Sequence, residues 1–334
     1  RTAAVSCPGC ARARCREPAD SARRSERRLR EGCDSVHAMD ARLPLRHALL
    51  ALAVVAVWGT NFVVIKVALA HLPPLLLAAL RFLFAALPAA LLLRRPAVSW
   101  RNLAGYGIAI GVGQFGLLFI AMRAHISPGI ASLVIQVQVF FTIGMSMLLL
   151  RERVRPLQWV ALALAAVGLA LIGLRTDSET TAAGLAIVLA AALGWAIGNL
   201  IVKRAGRVDM LAYVAWSSLF AVPPLFLLSL VFEGTGAMLD GLRDADAATW
   251  AAVAWQSVGN TLFGYVAWGW LLARHPAAVV TPMALLVPVF GMAASAAWLG
   301  EVLPAQKLGA AALVIGGLAL NMLPSLVRTR WSPP

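Results

Sequence analysis

The sequence predicts an all-α polytopic membrane protein, with ten transmembrane helices arranged as two inverted five-helix repeats. Three observations predict it. The 334-residue chain is 60% hydrophobic and 13% charged, with a mean hydropathy of +0.80. A soluble domain is typically about 45–50% apolar and about 25% charged. Ten apolar runs follow one another, each near the ~20 residues a spanning helix needs. Finally, a stretch of the first half returns in the second. His125 to Phe140 reads HISPGIASLVIQVQVF and His275 to Phe290 reads HPAAVVTPMALLVPVF, an offset of 150 residues.

Residues 1–38 stand apart. They are Arg-rich, poor in apolar residues and without helical period, and they hold all four cysteines, Cys7, Cys10, Cys15 and Cys33. Cys7-Pro8-Gly9-Cys10 is a CxxC, but neither a βαβ setting nor a second ligand pair accompanies it. No apolar signal region precedes Met39. The tail is expected to be disordered, or to lie upstream of a true start at Met39.

The apolar segments run over 47–70, 73–93, 103–122, 127–150 and 156–174, then 183–202, 210–232, 248–272, 277–299 and 304–324. The first five form repeat 1 (45–175) and the last five repeat 2 (183–325). Short loops hold the helix breakers, among them Pro73-Pro74, Arg94-Arg95-Pro96, Ser127-Pro128-Gly129, Arg155-Pro156 and Gly300. Runs of this length without alternation fit helices and not barrel strands. After each copy of the repeated stretch comes a Glu, Glu152 or Glu301, then a Pro and a Gly-rich closing helix. Five spans per half is an odd number, so the halves run in opposite directions through the bilayer, as in the inverted repeats of secondary transporters.

The net charge of +14 is topogenic rather than a nucleic-acid footprint. Of 29 basic residues, eleven precede the first span. Arg94, Arg95, Arg101, Arg151, Arg153, Arg155, Lys203, Arg204, Arg207, Arg274, Arg328 and Arg330 share that side. The other side has Arg123, Arg175, Arg243 and Lys307. The positive-inside rule then places both termini in the cytoplasm.

Polar residues inside the spans are the functional candidates, because a Lys at a helix centre costs roughly 2.5–3.5 kcal/mol in lipid. Val57–Val67 reads VWGTNFVVIKV and carries Trp58, Asn61 and Lys66; GWAIGNLIVK repeats the pattern with Trp195, Asn199 and Lys203. Arg81 lies about eight residues into the second span, about 12 Å deep at ~1.5 Å per residue. Its fork matches a carboxylate through two parallel hydrogen bonds; the alternative is that it satisfies backbone carbonyls within the bundle. Lys66, near the outer end of its helix, either meets solute or snorkels. Asn61 and Lys66 stand about 140° apart on a helix and do not share a face. Gln136 and Gln138 are about 200° apart, so one is expected to face a cavity and the other to bond across helices. Asn260, Tyr265 and Trp268 are candidates in the eighth span. Pro282 and Pro288 either break the ninth helix or pack against its neighbours.

Gly111-x-Gly113-x-x-Gly116 has the form of a dinucleotide fingerprint but lies in an apolar span with no preceding strand, so close helix packing explains it. There is no GxxxxGK[ST]. None of the fifteen Asp and Glu lies inside a span. Coupling therefore uses a group at a helix end, or the protein is a passive facilitator. No acid–base pair, metal triad or activated nucleophile is present, so no enzyme activity and no cofactor are expected.

At these residues the chain is similar to a known family. WGTNFVVIKVAL, LPPLLLAALRFLFAALP, GIASLVIQVQVFFTIGMSMLLLRE, GWAIGNLIVKR and LLVPVFGMAASAAWLGE resemble the EamA family of the drug/metabolite transporter superfamily, from about residue 45 to 325. Among its members, the chain looks like the inner-membrane exporter of O-acetylserine and cysteine-pathway metabolites. The resemblance implies a central cavity between the repeats and export by alternating access. It also implies that Trp58, Asn61, Phe62, Lys66, Arg81, Gln136, Gln138, Trp195, Asn199 and Gly264-Tyr265 occupy the family pattern. The tail before Met39 and the size of Val139 depart from that pattern. The expected partners are a small amino-acid-like solute and the lipid bilayer, not nucleic acid, with homo-oligomerisation left open. The rival readings are a broader amino-acid or drug exporter and a non-transporting structural subunit.

Overall fold

The computed structural model describes residues 43–150, 156–174, 180–206, 208–275 and 280–330. The Arg-rich tail, its cysteines and Met39 lie outside that set. All regular structure among the described residues is helical. Repeat 1 comprises α1 (Leu45–Ala68), α2 (Pro74–Leu92), α3 (Trp100–Ala124), α4 (Pro128–Val134 continuing through Gln138–Leu150) and α5 (Pro156–Gly173). Repeat 2 comprises α6 (Ala182–Ala205), α7 (Met210–Phe232), a short α8 (Gly234–Asp244), α9 (Ala247–Ala254 continuing through Gly264–Arg274), α10 (Leu286–Leu299 after a 3-10 turn, Thr281–Leu285) and α11 (Ala305–Arg330). Five of the described helices have the length and hydropathy to cross a bilayer, and four shorter ones are apolar.

The sequence reading assigned no element to the loop of α8. Its 3.6-residue period explains the helix, because Met238 and Leu242 pack on the core while the opposite face is polar. The prolines behave as helix chemistry allows. Pro288 is accommodated near the start of α10, and Pro223-Pro224 lies within α7 without ending it.

Packing between the halves is reciprocal. α1 lies against α9 and α10, and α6 lies against α3 and α4. α2 pairs with α7, and α5 with α11. Each helix thus meets the counterpart of the helix that its own counterpart meets, as a twofold relation between repeats requires. Glycines permit the closest crossings. A Cβ on Gly59 would stand 2.5 Å from the Phe290 Cβ, and one on Gly291 2.4 Å from the Ser132 hydroxyl. Gly111 and Gly113 of the fingerprint-like stretch face Ala221 of α7 and Gly194 of α6, which is close helix packing.

The end of the bundle opposite the basic clusters is closed by charged side chains placed on helix termini. Glu233 accepts from the Leu75 and Leu76 amides at 2.6 and 3.1 Å, capping α2. Glu301 accepts from the Ser127 and Ser295 hydroxyls and from the Gly129 amide at 3.0 Å, joining the start of α4 to the end of α10. Gly300, at φ 68°, makes the left-handed turn that brings Glu301 back. Lys66 donates to the Met122 and Arg123 carbonyls at 3.0 and 3.2 Å, and Arg123 donates to those of Leu69 and Leu72. Anions thus sit at helix N-termini and cations at C-termini, where the backbone dipoles favour them. Asp246 caps α9 in the same way. Its carboxyl lies below the usual range because the Thr249 amide and then its hydroxyl bond the charged form, each at 2.8 Å. That cap is complete at neutral pH and is lost as pH falls through the lowered value.

Replacing Glu301 with Ala leaves two hydroxyls and one amide without their acceptor. Thermal unfolding in detergent is expected to show a loss of about 2–4 kcal/mol, as for a buried charged hydrogen-bond partner. An unchanged melting temperature would show that the Glu301 clamp does not hold α4 to α10.

Candidate functional site

A cavity of about 480 Å³ lies between the repeats, within the ~300–1,000 Å³ of small-molecule sites. α1 contributes Trp58, Asn61 and Phe62, α3 contributes Tyr106, Gln114 and Phe115, and α4 contributes Gln136 and Gln138. α6 supplies Trp195 and Asn199, and α9 supplies Asn260, Tyr265 and Trp268. Val202 and Met210 carry the lining toward the basic end of the bundle. Among the described residues, no charged side chain lines this space. Amides and aromatic faces do.

Local backbone irregularities aim these side chains. The third long helix of each half contains a π segment, Ala109–Gly116 in α3 and Trp255–Phe263 in α9. Such segments recur at functional sites. α4 instead contains a 3-10 turn, Ile135–Val137. At ~3 residues per turn, Gln136 and Gln138 come to about 120° apart instead of the 160° or so of an α-helix, and both line the cavity. The expectation that only one could do so is thereby corrected. Gln138 also bonds across helices, its Oε1 accepting from Asn199 Nδ2 at 2.8 Å; the same amide reaches Thr142 Oγ1 at 3.2 Å.

On the other wall, Trp58 Nε1 donates to the Asn260 carbonyl at 3.2 Å, and the Trp58 ring lies 5.2 Å from Trp268 and 6.1 Å from Tyr265. Asn61 Nδ2 reaches Gln256 Oε1 at 3.4 Å. The same oxygen accepts from Arg81 Nη1 at 3.0 Å, and Arg81 Nη2 donates to Thr261 Oγ1 at 3.3 Å. Arg81 is only 1% exposed, its guanidinium carbon 3.7 Å from the centre of the Phe115 ring. No carboxylate pairs with it among the described residues. It therefore stands one layer behind the cavity wall, in the network of Gln256 and Thr261.

The predicted candidates thus divide. Trp58, Asn61, Gln136, Gln138, Trp195, Asn199, Asn260 and Tyr265 share one cavity, and Arg81 adjoins it. Lys66 lies elsewhere, at the closed end: its neighbour Ile65 still lines the cavity, but Lys66 leaves α1 on another face and reaches the carbonyls that end α3. Gln114, Phe115, Gln256 and Thr261 were not singled out from the sequence. The two glutamines carried the signal already used for Gln136: a polar side chain in an apolar run. Replacing Lys66 with Gln is expected to lower stability by about 1–2 kcal/mol, the size of a helix-terminus cation, and to leave solute affinity unchanged. Paired melting and ligand-titration measurements check both halves of that outcome.

The profile of the family described as EamA-like transporters matches residues 45–174 and 182–323. The chain is 42% identical over 285 residues to a Salmonella typhimurium protein named a probable amino-acid metabolite efflux pump, covering 84% of this chain and 95% of the relative. An Escherichia coli protein of the same name is 40% identical over 283 residues, covering 83% and 95%. A probable terminal-alkyne amino-acid exporter of Streptantibioticus cattleyicolor is 28% identical over 226 residues, covering 66% and 73%. Among the solved structures that match is a crystal structure with a TM-score of 0.59 at 20% identity, over 84% of this chain and 97% of that one, which shows the shared fold.

Proposed function

Because the chain belongs to the EamA-like transporter family, we propose that it exports small amino-acid metabolites, O-acetylserine and cysteine foremost, across the bacterial inner membrane by alternating access. It is a multi-pass membrane transporter and not an enzyme. The observation that carries the solute reading is the cavity itself. It lies where the repeats meet, as transporter sites do, and its lining of six amide side chains and several aromatics carries no formal charge. Such a lining suits a solute that is zwitterionic yet neutral overall. Asn61, Asn199, Asn260 and the Gln pair offer both donors and acceptors to its two ends. Trp58, Trp195 and Tyr265 pack its side chain, and Trp faces attract an ammonium group. Arg81 supplies positive potential from behind the wall. The two relatives named amino-acid metabolite efflux pumps support the same class of solute.

The basic end of the bundle is the cytoplasmic one in this reading, with both termini there. The cavity then reaches toward the cytoplasm while the capped end is shut, as an exporter loading its solute requires. The abundance of aromatic lining favours one second reading, an exporter of wider amino-acid or drug range. Growth of expressing cells under a panel of toxic solutes separates the two.

Proteoliposomes loaded with labelled cysteine or O-acetylserine test the proposal. The wild type is expected to release both saturably. Arg81→Gln, checked for folding by size exclusion, is expected to lose about tenfold or more, the loss a charged interaction of ~1.5–3 kcal/mol would produce. Release of neither solute by the wild type would withdraw this substrate assignment and leave the family standing.

A further inference from the structure

Arg81 occupies a chamber of its own. A cavity of about 10 Å³ lies against it, bounded also by Thr261, Tyr106, Phe115 and Tyr265. The last three line the central cavity of about 480 Å³ as well. Three aromatic side chains therefore form the partition between the solute space and the buried cation. Phe115 covers the guanidinium directly, at 3.7 Å from its ring centre.

Behind the partition the polar groups are only partly used. Arg81 Nε is a buried donor with no acceptor; in the network beside the chamber, Gln256 Nε2 and Asn61 Oδ1 are unpaired as well. In folded proteins such groups are nearly always satisfied, and a buried cation with one donor unpaired and no carboxylate beside it among the described residues calls for an anion. Yet ~10 Å³ accommodates about one water molecule and no more. A carboxylate can enter only if the partition moves.

We propose that the Arg81 chamber is the carboxylate subsite for the transported solute and that Phe115 is its shutter. The inference rests on the reading of the chain as an amino-acid metabolite exporter. Phe115 lies in the π segment Ala109–Gly116, between Gln114 and Gly116. A π turn can relax to α geometry and turn the side chains that follow it, so the ring has a way to leave. With the shutter closed, the ring face stabilises the guanidinium. When a carboxylate arrives, it takes over that role with two directed hydrogen bonds, and the ring moves against the rest of the solute. Binding is thereby conditional on a carboxylate, and a solute lacking one leaves the chamber shut.

Fluorescence titration of the purified full chain tests this, because Trp58, Trp195 and Trp268 line the cavity. The probes are cysteine and cysteine methyl ester. The wild type is expected to bind the acid about tenfold or more tightly than the ester, the worth of a charged hydrogen bond. Phe115→Ala should raise the preference for the acid over the ester several-fold, because no shutter remains to be displaced. Phe115→Leu, which keeps bulk without a ring face, should shift the acid in the same direction and serves if the alanine variant does not fold. Equal affinity of the wild type for acid and ester would overturn the subsite. So would a change in acid and ester alike in the Phe115 variants, the mark of simple packing. Binding of neither probe to the wild type would withdraw cysteine as the solute, and the subsite with it, and leave the family standing.

Discussion

Lipid offers no hydrogen bonds, and the organisation of this bundle follows from that. Helices satisfy their own backbone along the span but leave orphan groups at each terminus. At the closed end, ionised side chains from other helices meet those groups. Glu233 serves α2, Glu301 serves α4, Lys66 serves α3, and Arg123 serves the end of α1. Each cap is also a tie between two helices, so backbone satisfaction and closure of the bundle are one interaction. This accounts for the placement of the acidic residues: several cap helices outside the apolar runs, and none is needed within them.

The same logic shapes the site. The first helix of each half carries an asparagine, Asn61 or Asn199, against irregular segments of the other half. The cavity is therefore shared and belongs to neither repeat alone. Its walls combine amides, which bond in either sense, with aromatic faces. Among the described residues, the strong charge beside it, Arg81, is kept out of the cavity by Phe115. A cation exposed in the cavity would hold any anionic solute and release it slowly; one behind an aromatic wall is reached only when the ring gives way.

Much of this was legible in the residues. Apolar runs and breakers marked the spans, the offset of 150 marked the duplication, and polar residues in apolar runs marked most of the cavity wall. What escaped notice has physical causes. Helical wheels assume ~100° per residue, and the 3-10 turn in α4 breaks that assumption between Gln136 and Gln138. π segments leave no composition signature, so the convergence of Gln256 and Phe115 on Arg81 was not visible. Helix face, and not residue type, separates Lys66 from Asn61, since Ile65 beside Lys66 still lines the cavity. The α8 helix was hidden because its hydropathy is low although its period is helical.

The pairing of early helices with late ones has a consequence for how the protein is made. Arg81 and its partner Gln256 are 175 residues apart, and Asn61 and Gln256 are 195 apart. At a translation rate of ~5–20 residues per second, the second helix waits roughly 9 to 35 seconds for the segment that will satisfy its guanidinium. During that interval the nascent chain carries an intramembrane cation without its native hydrogen-bond acceptors. Insertion machinery or a neighbouring nascent helix must shelter it until the ribosome reaches the eighth span. Biogenesis is thus paced by the second half of the message, and a truncated product would be a target for membrane quality control.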